Sequence, residues 1–163
     1  MAEKTATTGS TWESEHGWVI TLGKWVWLFG LANGIVYLIW GIVNVFVRAS
    51  VPTSPFTFYT TTVPSLWYAS RGIGIWYIIG GSFNIIFSIA IVKFKFSNKV
   101  KDRDWNFLYE EHILKLGSLR FPLMLLWGIL LAVFGFGWGG LLMLIVVFFL
   151  LFAGPRDYQW KST

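Results

Sequence analysis

The chain has 163 residues, of which 55% are apolar, 20% are aromatic and only 13% are charged, and its formal net charge is +5. Charged residues are about half as frequent as in an ordinary soluble domain, and so few of them cannot cover this much apolar surface in water. The absence of cysteine excludes a disulfide scaffold, a thiolate nucleophile and cysteine metal sites. The composition therefore predicts an integral membrane protein.

Residues 1–21 begin with a polar stretch and lack the apolar core of a cleaved signal peptide. Ser10 and Glu13 fit the spacing of a helix capping box. Trp12 and Trp18 are expected at the level of the lipid headgroups. This segment is predicted to be cytoplasmic and to contain an interfacial helix.

Three stretches contain no Asp, Glu, Lys or Arg: 25–47, 72–92 and 121–155. The first two are each long enough to cross a hydrocarbon core of about 30 Å as one helix. The third is long enough for two short crossings, and a glycine-rich turn divides it. These stretches predict an all-α protein with four transmembrane helices, at 22–47, 71–93, 118–136 and 139–154.

The four helices are expected to pair as two antiparallel hairpins, 22–93 and 118–154. The outer loop of the first hairpin, 48–70, is uncharged and rich in aromatic residues, and its three prolines argue against a helix. Residues 139–154 cover only about 24 Å as a helix. A re-entrant hairpin, which enters and leaves on the same side, is therefore the alternative for the second pair.

Lys and Arg are unevenly distributed around these helices. Only Arg48 and Arg71 flank the outer side, and the other 11 of the 13 basic residues lie on the opposite side. The positive-inside rule then predicts a multi-pass protein with both termini, including the tail 155–163, in the cytoplasm. A basic loop at 94–117 and its edge carry four residues that are expected to contact anionic lipid headgroups: Lys93, Lys95, Lys99 and Lys101. An orientation signal alone is the alternative, and nucleic-acid binding is not expected.

The basic loop is predicted to contain an amphipathic surface helix from Trp105 to Leu116, capped by Asp104 and ended by Gly117. Glu111 and Lys115 would form an i,i+4 pair on it. Its apolar stripe comprises Trp105, Leu108, Tyr109, His112 and Leu116. The helix is expected to lie on the membrane surface or against a partner subunit.

A repeat of period 40 is the clearest feature of the sequence. Residues 34–44 and 74–84 share the pattern G-I-x-Y-(L/I)-I-x-G-x-(V/F)-N. Its Gly, Tyr, Gly and Asn fall on one helix face, where small residues allow close approach and polar residues can bond across helices. The predicted packing residues are Gly34, Tyr37, Gly41, Asn44, Gly74, Tyr77, Gly81 and Asn84.

The spacing within this repeat is palindromic, so an antiparallel pair can place every Tyr and Asn opposite a glycine. The predicted pairs are Gly34–Asn84, Tyr37–Gly81, Gly41–Tyr77 and Asn44–Gly74. Contact of this face with a different subunit is the alternative. A smaller packing stripe in the second hairpin comprises Gly128, Ala132, Gly135 and Gly139.

Polar candidates for a site at membrane depth are amides and hydroxyls: Asn33, Asn44, Asn84, Ser82, Ser88, Tyr37 and Tyr77. No ionisable carboxylate, Lys, Arg or His lies within the predicted membrane core, which argues against proton coupling, and no cofactor or catalytic constellation is predicted. One metal hypothesis combines carboxylates and imidazoles on the cytoplasmic side. Its residues are Glu13, Glu15, His16, Glu110, Glu111 and His112.

These features favour a non-catalytic accessory or structural subunit of a larger membrane complex, such as a redox or monooxygenase complex, because the chain has packing faces but no reactive group. The alternative is a small homo-oligomeric transporter or channel for a neutral solute, since transporters often contain inverted repeats. A lipid-modifying enzyme that uses His112 and the neighbouring glutamates ranks third.

Overall fold

The structure, a computed structural model, describes residues 12, 14–46, 66–111, 113–117, 119–156 and 158–160. The described part of the chain is mostly helical. The predicted capping box at Ser10 and Glu13, most of the outer loop and His112 lie outside the described residues.

Two long helices form the larger part of the fold. Helix α1 is Gly17–Phe46, and helix α2 is Leu66–Phe87. Helix α2 continues directly into a π-helical segment, Ser88–Ser97, and a short helix α3, Asn98–Lys101. The stretches Gly17–Phe46 and Gly72–Lys101 each comprise 30 residues, or about 45 Å. Both are long and apolar enough to span a membrane.

The beginning of the predicted basic loop is helical, because the continuous helical segment that starts with α2 ends only at Lys101. Asp104 begins the next helical turn as its cap. Its Oδ1 accepts a hydrogen bond from the backbone N–H of Phe107 at 3.3 Å. Its Oδ2 lies 2.7 Å from the ammonium of Lys99, so this ion pair links Asp104 to helix α3.

The helix predicted from Trp105 to Leu116 is wrong in its second half. A π-helical segment, Phe107–Glu111, is followed by strand β1, Ile113–Leu116, which pairs antiparallel with strand β2, Leu119–Pro122. The two-residue connection contains Gly117 at a φ of 63°, a conformation typical of tight hairpin turns. The backbone N–H of Arg120 also donates to the carbonyl of Trp160 at 2.9 Å. These non-local backbone partners favour strands over the locally amphipathic helix.

The second helical hairpin consists of α4, Leu123–Phe134, and α5, Trp138–Ala153. The prediction that a helix starts at 118 is wrong, because β2 occupies the residues before Leu123. The two helices have 12 and 16 residues, or about 18 and 24 Å. Neither reaches the roughly 30 Å of a hydrocarbon core, and the predicted set of four crossings is not confirmed.

The second hairpin packs beside one part of the α1–α2 pair. Its turn carries Phe136, whose ring centroid lies 4.4 Å from that of Tyr37 and 4.7 Å from that of Tyr77. At the opposite end, the indole N–H of Trp12 donates to the carbonyl of Ala153. Helix α1 continues beyond Tyr37 to Phe46, about 13 Å past the level of the turn.

The basic end is the end of the molecule that carries Lys95, Lys99 and Lys101. The apolar core lies between it and the turn of the second hairpin, where α1, the π-helical segment Ser88–Ser97, α4 and α5 meet. Its fully buried side chains include Val26, Phe96, Leu108, Met124, Leu131, Met143 and Leu150.

Candidate functional site

Helices α1 and α2 approach each other at glycines. A Cβ atom added to Gly34 would lie 2.9 Å from the carbonyl oxygen of Gly81, and one added to Gly41 would lie 2.7 Å from that of Gly74. Such distances leave no room for a side chain. The two backbones are therefore in direct contact at both levels of the repeat.

The register of this contact differs from the predicted one. Glycine faces glycine in two pairs, Gly34–Gly81 and Gly41–Gly74, and the rings of Tyr37 and Tyr77 lie 5.1 Å apart. The predicted pairing of each tyrosine with a glycine is replaced because the rings meet each other and the Phe136 ring of the second hairpin. The Phe136 ring lies outside the two repeats, so the spacing of their residues could not predict this contact.

Asn44 has a role within its own helix. Its Cβ lies close to Gly74, which matches the predicted Asn44–Gly74 pair. Its side-chain N–H, however, donates to the carbonyl of Trp40 at 2.8 Å. The amide is thus hydrogen-bonded without a bond to the other helix.

The small residues of the second hairpin lie at two kinds of contact. Gly128 faces the side chain of Leu144, and Gly140 directly touches Ala132, so the two helices approach closely there. Gly135 and Gly139 instead face asparagine side chains of the first hairpin. The glycine turn therefore makes room for polar groups.

Three polar side chains, Asn33, Asn84 and Ser88, are buried around this turn. The side-chain N–H of Asn33 donates to the carbonyl of Gly135 at 2.8 Å. The side-chain atoms of Asn84 and Ser88 find no hydrogen-bond partner among the described residues. A buried polar group without a partner costs about 1–3 kcal/mol, so this polar cluster is a candidate binding site.

The backbone around Ser88 is also unusual. The π-helical segment begins at this residue, and the Ser88 hydroxyl faces Gly30 so closely that a Cβ there would collide with it. Short π-helical segments occur frequently at functional sites. The change in helix type coincides with the polar cluster.

The predicted headgroup lysines do not form a row of free ammonium groups. The Lys93 ammonium lies 4.6 Å from the centre of the Trp27 ring, and those of Lys95 and Lys99 lie 5.8 and 4.3 Å from the Phe107 ring. The hydrogen bond to Asp104 also raises the pKa of Lys99. Lys101 is exposed.

The surface of α1 carries an apolar groove of about 580 Å³. Its rim includes Trp18 and Trp25, which are 44% and 45% exposed. The groove is lined by Trp18, Thr21, Leu22, Trp25, Leu28 and Phe29.

A polar cleft of about 310 Å³ lies at the basic end. It is lined by Tyr109, Glu110, Arg120, Arg156, Tyr158 and Gln159. Sequence reasoning missed this cleft because its residues come from three separate segments. The only local signal was the pair of arginines that flank the third charge-free stretch.

The metal hypothesis has no centre in the described part of the chain, where no group of three or more His, Asp or Glu side chains is placed to hold a metal. The His16 ring stacks on Trp12 at 5.1 Å, and a Glu110 oxygen lies 3.8 Å from Arg156. Glu13 and His112 lie outside the described residues. No family model, no curated protein and no solved structure matches this chain.

Proposed function

We propose that this chain is a non-catalytic subunit of a larger membrane complex, such as a redox or monooxygenase complex. In this proposal α1 and α2 cross the bilayer, and both termini are cytoplasmic, as is the basic end. The lysines of that end contact anionic lipid headgroups. The α4–α5 hairpin is re-entrant: it enters from the cytoplasmic side and turns back inside the membrane.

The depth of the turn supports the re-entrant arrangement. The charge-free stretch of α1 is 25–47, so its midpoint lies near Val36, and the turn residue Phe136 packs on the adjacent Tyr37. Irregular backbone at such depth is tolerated only where protein surrounds it. Two backbone groups of the turn have partners within the protein: the Gly135 carbonyl accepts from Asn33, and the Gly137 N–H donates to the Ala132 carbonyl.

The apolar groove on α1 is the observation that carries the subunit assignment. It extends from Phe29, inside the charge-free stretch, past Lys24 to Trp18, a distance of about 16 Å along the helix. A lipid chain covers only the part in the hydrocarbon. A helix of another subunit can cover the whole groove, including the tryptophans, which are enriched in interface cores.

The test is to purify the tagged full-length chain from its native membranes in mild detergent and to determine its composition by native mass spectrometry. A defined set of other subunits at fixed stoichiometry is expected. Replacing Trp25 and Leu28 together by Ala is expected to release those subunits. Ile39→Ala, at a 56% exposed site on α1 outside the groove, is the matched control. A purified complex that contains only copies of this chain would contradict the proposal.

A small homo-oligomeric channel or transporter for a neutral solute is the second candidate. It is favoured by the side-chain polar atoms of Asn84 and Ser88, which have no hydrogen-bond partner among the described residues. These atoms lie beside the turn of the second hairpin, and transporters often place their sites at such interruptions of membrane helices. Glycerol or urea flux into proteoliposomes tests it. Asn84→Leu is expected to abolish flux and Thr21→Val, at an exposed site, to preserve it. Flux no faster than in empty liposomes rules this candidate out.

A further inference from the structure

The polar cleft at the basic end carries a second inference, separate from the lysines of that end. It lies between the π-helical segment Phe107–Glu111, strand β2 and the residues that follow α5. We infer that this cleft binds a phosphate group through the guanidinium groups of Arg120 and Arg156. The phosphate belongs either to a lipid headgroup or to a free phosphate compound, and both sources present the same oxygens.

The backbone of Arg120 is held in place, while one N–H of its guanidinium group has no partner among the described residues. Its backbone N–H donates to the Trp160 carbonyl at 2.9 Å, and its own carbonyl accepts a hydrogen bond from the Tyr158 hydroxyl at 2.9 Å. Its side-chain Nε is buried and has no hydrogen-bond partner among the described residues. The Nε–H and a neighbouring N–H form the planar fork that matches two phosphate oxygens.

Arg156 also lines the cleft, and its guanidinium group has N–H donors that are not used. Its Nη1 donates to the side-chain oxygen of Asn106 and lies 3.8 Å from a Glu110 oxygen. The Arg156 and Glu110 side chains are 41% and 64% exposed, so their attraction is weak and screened by salt. A guanidinium has five N–H donors, which leaves several for a phosphate.

The two tyrosines form neutral walls. The Tyr109 hydroxyl donates to the Leu150 carbonyl, and the Tyr158 hydroxyl donates to that of Arg120. Burial raises the pKa of both phenols, and the nearby arginines oppose this shift only in part. Both phenols therefore stay neutral at physiological pH and do not repel an anion.

Charge and location favour a lipid phosphodiester as the source. Among the described residues that line the cleft, two arginines and Glu110 give a net charge of +1, which suits a singly charged diester better than a doubly charged free phosphate. Arg120 precedes α4 and Arg156 follows α5, so both lie where the apolar hairpin ends. The lipid source rests on the proposed membrane embedding, whereas the phosphate site itself does not.

The test compares lipid binding to the purified full-length chain and its variants in detergent. Native mass spectrometry measures binding of phosphatidylglycerol, with diacylglycerol as the lipid that lacks a phosphate. Arg120→Gln and Arg156→Gln are each expected to weaken phosphatidylglycerol binding about tenfold or more, as for a lost charge-assisted hydrogen bond. Arg120→Lys keeps the charge but loses the fork, and a similar loss is expected.

Arg103→Gln is the matched control, because it makes the same substitution at an exposed arginine that does not line the cleft. Calorimetric titration with inorganic phosphate distinguishes the two sources of the phosphate group. If inorganic phosphate binds the wild type and displaces the lipid, the site is assigned to free phosphate compounds. Equal lipid binding by Arg120→Gln, Arg156→Gln and Arg103→Gln overturns the inference, as does equal binding of diacylglycerol. If Arg120→Gln loses its helical circular dichroism, Arg156→Gln, at an exposed side chain, decides the outcome.

Discussion

The side-chain amide of Asn33 donates a hydrogen bond of 2.8 Å to the carbonyl of Gly135, which is 102 residues away in the sequence. The bond is buried and joins α1 to the turn of the second hairpin. Each orphaned carbonyl at such a place costs about 1–3 kcal/mol. This bond therefore helps to fix the position of the turn, together with the contacts of the Phe136 ring with Tyr37 and Tyr77.

Asn33→Ala is expected to lower the free energy of unfolding in detergent by about 1–3 kcal/mol, because the Gly135 carbonyl loses its donor while remaining buried. Thr21→Ala is the control. The Thr21 hydroxyl also donates to a backbone carbonyl, that of Gly17, but at an exposed site where water replaces it. Equal losses in the two variants would show that the Asn33 bond does not hold the turn.

The glycine contact between α1 and α2 predicts opposite outcomes for two Gly→Ala substitutions in α2. A Cβ at Gly81 would lie 2.6 Å from the backbone nitrogen of Leu38, which cannot move aside, and overpacking of this kind costs about 1–3 kcal/mol. At Gly72 no atom of the described residues lies within 4 Å of an added Cβ. There the higher helix propensity of Ala, up to about 1 kcal/mol, is expected to leave stability unchanged or increased. Equilibrium unfolding of both variants measures the difference.

The re-entrant arrangement predicts where a single cysteine can be labelled. The natural chain has none, so Trp138→Cys, at the start of α5, provides a unique thiol. In sealed vesicles it is expected to resist a membrane-impermeant maleimide from both sides, because the turn lies inside the bilayer.

Two further variants calibrate this labelling. Lys101→Cys, at the basic end, is expected to react from the cytoplasmic side, and Thr60→Cys, between α1 and α2 in the sequence, from the outer side. Reaction of Trp138→Cys from the outer side would restore the arrangement with four crossings.

The ion pair between Lys99 and Asp104 predicts a loss of stability in acid. The Lys99 hydrogen bond, followed by that from the Phe107 backbone, lowers the pKa of Asp104 below its usual range. The stabilisation is thus complete above the unfolded-state pKa of about 4 and disappears as the pH falls through the lower folded-state value.

Asp104→Asn is therefore expected to show a smaller fall in Tm between pH 6 and pH 3 than the wild type, at low salt. The effect is small because both side chains are partly exposed. Asp102→Asn, which leaves the pair intact, is expected to behave like the wild type. Identical pH profiles for Asp104→Asn and the wild type would mean that the pair does not stabilise the fold.

Local patterns in the sequence were sufficient where one helix satisfies its own requirements. The charge-free stretches predicted α1 and α2 because a helix bonds its own backbone and needs only apolar side chains and length. The repeat identified Gly34, Gly41, Gly74 and Gly81, since a helix face is defined by spacing alone. Asp104 was recognisable as a cap because its partner lies three residues away.

Long-range contacts decided the rest. The partners of Gly135, Arg120 and Phe136 lie far away in the sequence, so no short sequence segment around these residues predicts their contacts. The segment Ile113–Leu116 became a strand because β2 and the residues after α5 supply backbone partners. The amino-acid sequence by itself determined two long apolar helices and the glycine face between them. Only the tertiary structure decided the register of these helices, the packing of the second turn on Tyr37 and Tyr77, and the cleft that Arg120 and Arg156 line, because each depends on groups brought together by packing.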